Sequence, residues 1–143
     1  MYLYRTHITK IANCPSNTSY QARNIEKCYR WIYSNIKDKK NFQPPAIRSN
    51  RANHFIHSQS CGKFATSFHI SLEGSLEHYN QLAKQFGRTK AKEFFGTHIA
   101  VGNITKRDGI SNTPCAKFSH FDLHIYSTNE LADGRFSVVQ EIK

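Results

Sequence analysis

The chain has 143 residues, 38% of them hydrophobic and 13% aromatic, with seven glycines and four prolines. These are the proportions of one globular domain and exclude a collagen-like or disordered chain; no apolar run reaches the ~20 residues of a membrane span. Twenty Lys and Arg against ten Asp and Glu leave a net charge of +10, which suits a nucleotide or nucleic acid as well as plain solubility or an acidic partner protein.

Met1-Tyr2-Leu3-Tyr4-Arg5-Thr6-His7 lacks the apolar core of a signal peptide. The expected location is cytoplasmic, or a target cell's cytosol reached without a cleaved signal. Cys14, Cys28, Cys61 and Cys115 stand far apart with no Cys-x-x-Cys pair. Reduced thiols are therefore expected, and no zinc-binding spacing is visible.

In chain order, residues 2–11 alternate loosely and carry Tyr, Ile and Thr, which predicts a first strand. Residues 13–17 make a turn. Thr18 and Gln21 have the spacing of a capping box, and Ile25, Cys28, Tyr29, Ile32 and Ile36 then share a helical face. That pattern predicts a helix over about 19–37. Residues 41–63 are the least regular: Pro44-Pro45 opposes helix, and Arg48, Arg51, His54 and His57 make the stretch basic. A long loop with one short strand near 46–49 or 54–58 is expected.

Residues 64–73 form the clearest strand, with Phe64, Thr66, Phe68, Ile70 and Leu72 on one face. Ala65, Ser67, His69, Ser71 and Glu73 take the other. A helix over 75–86 follows, with Leu76, Tyr79, Leu82, Ala83 and Phe86 at helical spacing and Gly87 as its stop. One or two helical turns at 89–95 precede strands at 97–104, 118–127 and 135–142. Ile99 and Val101 point inward. Late strands joined by short turns favour antiparallel pairing, so the expectation is a single α+β domain, with a mostly antiparallel sheet and main helices at 19–37 and 75–86.

Eight histidines direct attention to strand faces. His120, Asp122, His124 and Tyr126 oppose Phe121, Leu123 and Ile125; His69 lies with Ser67 and Ser71; His98 opposes Ile99 and Val101; Arg5, His7 and Thr9 share a face. Neighbouring strands would give a polar, histidine-rich sheet face, either a functional cleft or a solvated surface. His120, Asp122 and His124, with His98, could ligate a metal, but alternate strand residues lie ~6.5 Å apart. No metal is expected.

His7-Ile8-Thr9 and His69-Ile70-Ser71 both have the form His–hydrophobic–Thr/Ser. They resemble the motifs of two-histidine (2H) phosphoesterases, which act on RNA ends and cyclic nucleotides. The resemblance implies a general base and a general acid, with Thr9 and Ser71 holding phosphate oxygens. Pairing His69 with His124 fits the family's order better than pairing it with His7, and His120 is a further candidate.

Tyr2-Leu3-Tyr4-Arg5, Phe64-Ala65-Thr66-Ser67 and Asn129-Glu130-Leu131 before Gly134-Arg135-Phe136-Ser137-Val138 form a second set. In that order they resemble the arginine–serine–glutamate ADP-ribosyltransferases, the cholera-toxin-like group. There a first-strand arginine holds NAD, an aromatic-x-Ser-Thr-Ser strand and a helix follow, and a late glutamate stabilises the ribosyl cation. The resemblance implies Arg5 as NAD clamp, Ser67 with Thr66 positioning the site, Glu130 as carboxylate and His7 or His69 contacting NAD or the acceptor. Glu141 is the reserve carboxylate. Thr128 stands where the family has Glu or Gln, which favours Asn, Thr, a base or water over arginine as acceptor.

The plain alternative leaves Arg5, Ser67 and Glu130 as surface residues. A non-enzymatic reading places Tyr20, Tyr29, Trp31 and Tyr33 among Arg23, Lys27, Arg30 and Lys37 on a helix that stacks on single-stranded nucleic acid. The expectation is a small, monomeric toxin- or effector-like enzyme. It would use NAD as substrate and modify a protein or nucleic-acid acceptor, with an immunity or inhibitor protein as a further partner. Its alternative is a metal-independent phosphoesterase or ribonuclease.

Overall fold

The computed structural model describes residues 1–57, 60–126, 131 and 134–143. Among them six strands form one sheet, β1 (Ile25–Ile32), β2 (Thr66–His69), β3 (His98–Ile104), β4 (Gly109–Ser111), β5 (His120–Ile125) and β6 (Ser137–Glu141). Their order is β4-β5-β2-β1-β3-β6, and every neighbouring pair is antiparallel. The helices are α1 (Arg5–Ile8), α2 (Pro45–Arg48), α3 (Ala52–His57), α4 (Leu72–Phe86) and α5 (Arg88–Phe95). The fold is α+β, as the element pattern predicts.

The helix expected over 19–37 does not form; its centre is β1, between β2 and β3. Cys28 and Ile32 are buried on one face with Phe68, Ala100 and Phe121, while Tyr29 meets Tyr79, Ala83 and Ile99 on the other. A strand covered on both faces loses its period of two, so positions 25, 28, 29 and 32 imitate a helical stripe. Its Tyr, Trp and Ile content suits a pleated surface. The expected capping box is also absent. Thr18 Oγ1 pairs with Ser16 Oγ at 3.0 Å, and Gln21 exchanges main-chain hydrogen bonds with Ser111.

Residues 2–11 are likewise not a strand. Tyr2 bridges Tyr126, and the chain then turns into α1. Tyr4, Ile8 and Ile11, at helical spacing, pack with Ala46, Ile47 and Phe64 in a cluster of their own. Within 41–63 the structure has α2 and α3, not the expected strand. Pro45 opens α2 at the first helical position, where its missing N–H costs no helical bond. Ser58 lies outside the described residues.

β2 keeps the expected faces but is only four residues long. Ser71 ends the extended stretch by accepting the Gly74 N–H at 3.0 Å as the N-cap of α4, so the helix starts three residues before position 75. α4 and α5 lay Leu72, Leu76, Tyr79, Ala83, Ala91 and Phe95 over Trp31, Ile99 and Val101. The opposite face holds Phe68, Phe121, Leu123 and Phe136. Cys14 and Cys61 are joined in a disulfide, contrary to the reduced thiols expected, while Cys28 and Cys115 are free. No helix among the described residues is long and apolar enough to cross a membrane.

Candidate active site at the β2–β5 pair

Antiparallel pairing sets Ser67 opposite Asp122 and His69 opposite His120. Ser67 Oγ donates to Asp122 Oδ1 at 3.0 Å, and His120 Nε2 lies 3.4 Å from that same oxygen. From α4, His78 reaches across so that its Nδ1 is 2.8 Å from His69 Nε2. Trp31 of β1 packs its ring 5.0 Å from His69 and 5.2 Å from His78. Four elements therefore meet at this face.

The entrance to β5 is strained. Phe118 and Ser119 both have left-handed backbones, with φ of 64° and 55°, a conformation that costs a bulky residue energy. Several contacts hold it. The Phe118 ring stacks on His78 at 4.8 Å, Ser119 Oγ lies 2.9 Å from Ser71 Oγ, and Ser119 O accepts from the Ile70 N–H at 3.0 Å. Gly74, in the first turn of α4, is the reason the two segments can approach: a Cβ there would collide with the Phe118 carbonyl. This clamp fixes how His120 enters the sheet.

Arg30 of β1 sits behind Ser67. Its Nε donates to the Asn41 carbonyl at 2.6 Å, Nη1 to the Ser67 carbonyl at 2.8 Å and Nη2 to the Gln43 carbonyl at 3.3 Å. One guanidinium fork thus fastens β2 to the 41–43 segment, a task suited to its fixed planar donors. Burial, and Arg48 nearby, push its pKa down to about 9, which leaves it cationic at neutral pH.

Burial also raises the Asp122 carboxyl, opposed by His120, the Ser67 hydrogen bond, Lys63 and Arg30. His69 moves the other way. Burial, then His78, His120 and Arg30, lower its pKa to about 3, and burial with His120 and Lys117 lowers His78 to about 4. Both rings are neutral at pH 7, so one donates its hydrogen to the other. His69 Nδ1 is buried with no hydrogen-bond partner among the described residues.

The other expected residues go elsewhere. Arg5 is exposed on a helix instead of a strand, with its carbonyl accepting from Thr9 Oγ1 at 2.8 Å, and His7 stacks on Phe64 at 5.6 Å. Arg5, His7 and Thr9 all lie on α1 or its C-cap, apart from β2 in sequence and in the sheet. Thr66 faces away from Ser67 and donates to the Phe42 carbonyl at 2.9 Å. Ser71 is committed to capping α4. His124 pairs with Cys61 and not with His69: Leu123 is opposite Thr66, so position 124 falls some four residues, ~13 Å, along the sheet from His69.

His98 is on β3, bonded to Thr97 Oγ1 at 2.8 Å, and is apart from His120. Thr128 and Glu130 lie outside the described residues. Glu141 is on the edge strand β6, three strands from β2, beside a separate cavity of about 550 Å³ that Arg88 and Asn80 also line. The basic aromatic helix is not formed; Tyr29 and Trp31 pack inward from β1.

Sequence reasoning missed His78, gave Arg30 only a place on a nucleic-acid-stacking helix and gave Asp122 only a metal-ligand role. Arg30 was hidden by the false helix. His78 had a signal, since Ser71, Gly74 or Ser75, and His78 fall on one side of α4. No protein-family model, curated protein or solved structure matches this chain.

Proposed function

We propose that the chain transfers ADP-ribose from NAD to a macromolecular acceptor or to water, with Ser67 and Asp122 at the reacting centre and Arg30 positioning them. The observation that carries this reading is the convergence at Ser67. Its hydroxyl is bonded to the Asp122 carboxylate and its carbonyl to the Arg30 guanidinium. The order is similar to that of the arginine–serine–glutamate group: an arginine on the first strand, a hydroxyl on β2, a helix, then a late carboxylate. Arg30 takes the arginine's place in that order as a positioning residue, its donors held by the Asn41, Ser67 and Gln43 carbonyls, and Asp122 stands ahead of Glu130.

In this mechanism the bond from ribose C1′ to the nicotinamide nitrogen breaks, and its electron pair stays with the departing ring. Positive charge spreads over C1′ and the ring oxygen, where the Asp122 carboxylate stabilises it. The acceptor's nucleophile then bonds to C1′ and gives up its proton. His120, 3.4 Å from Asp122, would take that proton or orient the acceptor, with the buried neutral His69 packed against its ring.

The test is release of nicotinamide from NAD by purified protein, with and without added lysate as a source of acceptors. Release that Asp122→Asn removes supports the reading; no release under either condition overturns it. The two-histidine phosphoesterase reading keeps one specific observation, His69 directly opposite His120 with ring centres 5.4 Å apart. Cleavage of a 2′,3′-cyclic nucleotide, lost in His120→Ala and kept in Asp122→Asn, would favour it.

A further inference from the structure

Two residues beyond Asp122 on the same face of β5, His124 is only 2% exposed and turns toward sulfur. Cys61 Sγ lies 3.6 Å from its Nε2, and Cys61 is bonded to Cys14 from 47 residues away in sequence. One donor atom from each of the three lies within 4.8 Å of the others. Tyr20 and Tyr2 set their rings against His124 at 5.0 and 6.4 Å, edge-on, which holds the imidazole plane.

A structural disulfide requires no imidazole in line with it. A tetrahedral zinc ion does: sulfur at ~2.3 Å and imidazole nitrogen at ~2.0–2.1 Å place those two ligand atoms about 3.6 Å apart. The Cys61–His124 separation already has that value. Two thiolates on one zinc ion stand about 3.8 Å apart, so rotation of the Cys14 side chain, once the S–S bond is open, completes the set.

We propose that Cys14, Cys61 and His124 form a redox-gated zinc site. In the oxidised chain the cysteines are a disulfide; in the reduced chain they and His124 hold one zinc ion, with a fourth position open to water or an added ligand. A dithiol reductant supplies two electrons and two protons to the S–S bond and is itself oxidised to a disulfide. Zinc then binds two thiolates and the His124 Nε2 lone pair, and the two thiol protons are released to solvent. Either state ties the turn around Cys14 to the Cys61 segment. The site is independent of the NAD reading.

The test uses the full chain carrying Cys115→Ser, so that the exposed thiol takes no part, after phosphine reduction and chelator treatment. Zinc alone is titrated against a chromophoric chelator, and cobalt(II) is added separately as a spectroscopic stand-in. The expected result is one zinc per reduced chain, thiolate-to-cobalt charge-transfer absorption, and no uptake by the oxidised chain. His124→Gln should lose roughly tenfold or more in zinc affinity while still forming the Cys14–Cys61 disulfide, which shows that the junction is folded. Should that variant not fold, Cys14→Ser gives the same reading through the same loss of affinity. Absence of stoichiometric zinc in the reduced chain overturns the proposal. So does parent-like affinity in either folded variant.

Discussion

Ser67 gives its hydroxyl hydrogen to Asp122 at 3.0 Å, at a position where β2 and β5 are in direct register. The pair is part-buried. Arg30 approaches Ser67 from behind, through the carbonyl, and His120 flanks the carboxylate. Burial works against ionisation of Asp122, and these neighbours work for it. A carboxylate held this way stores electrostatic work that a cationic transition state can use.

Asp122→Asn separates that role from a structural one. Asn keeps a carbonyl oxygen to accept from Ser67, and a neutral amide costs less to bury than a carboxylate. Nicotinamide release should fall about 10²–10³-fold, while the melting temperature stays level or rises. Parent-like release by Asp122→Asn would move the carboxylate role elsewhere, with Glu130→Gln the next variant to assay.

Arg30 and Arg5 make an opposed pair of tests. Arg30→Met leaves the carbonyls of Asn41, Ser67 and Gln43 without their shared donor, and urea denaturation should record a loss of about 3–5 kcal/mol. Arg5 is exposed on α1, so Arg5→Ala should stay within about 0.5 kcal/mol and keep its activity. A stable Arg5→Ala protein without activity would return the clamp to the N-terminus.

The legible parts of the sequence were those covered on one side or bounded by strong stops. The alternation of Thr66, Ser67, Phe68 and His69 set the two faces of β2, and Phe121, Leu123 and Ile125 did the same for β5. Gly87 sits at the end of α4 as its sequence position suggested. The central strand was not legible, because Cys28, Arg30 and Ile32 are buried on one face and Tyr29 on the other. Period-two alternation cannot appear where both faces are dry. The site inherited that error. Ser67 and His69 were found from β2 alone, whereas Arg30 needed β1 to be a strand and His78, inside the helix expected over 75–86, needed that helix to be docked across β2. The Cys14–Cys61 bond joins segments whose proximity depends on the whole fold, which spacing alone does not encode.

Gly74 tests the clamp at the start of β5. In an open helix Gly→Ala is stabilising by up to ~1 kcal/mol. Here the added Cβ meets the Phe118 carbonyl and the Ser119 hydroxyl, so Gly74→Ala should instead destabilise by about 1–3 kcal/mol. It should also weaken activity, since His120 follows the displaced pair. A raised melting temperature would mean that the Phe118–Ser119 bend yields freely and does not set His120.

The His69–His78 pair, together with the buried His124 whose pKa burial lowers to about 4, sets the acid limit of stability. Both folded pKa values lie below the ordinary histidine value, at about 3 and about 4, so the unfolded chain binds protons first as pH falls. Their stabilising contribution is present above about pH 6.5 and is lost on acidification toward those values, at ~1.4 kcal/mol per pH unit for a fully buried group. His78 is partly exposed and contributes less. Arg30 and His120 beside His69, and Lys117 with His120 beside His78, make protonation harder still. Between pH 7 and 4.5 the melting temperature should drop on the order of 10 °C. His78→Gln removes one titrating ring and keeps a side chain able to bond His69 Nε2, so its acid limb should be shallower. If the two limbs superimpose, this pair is not what acid attacks, and His124 is the next buried ring to replace.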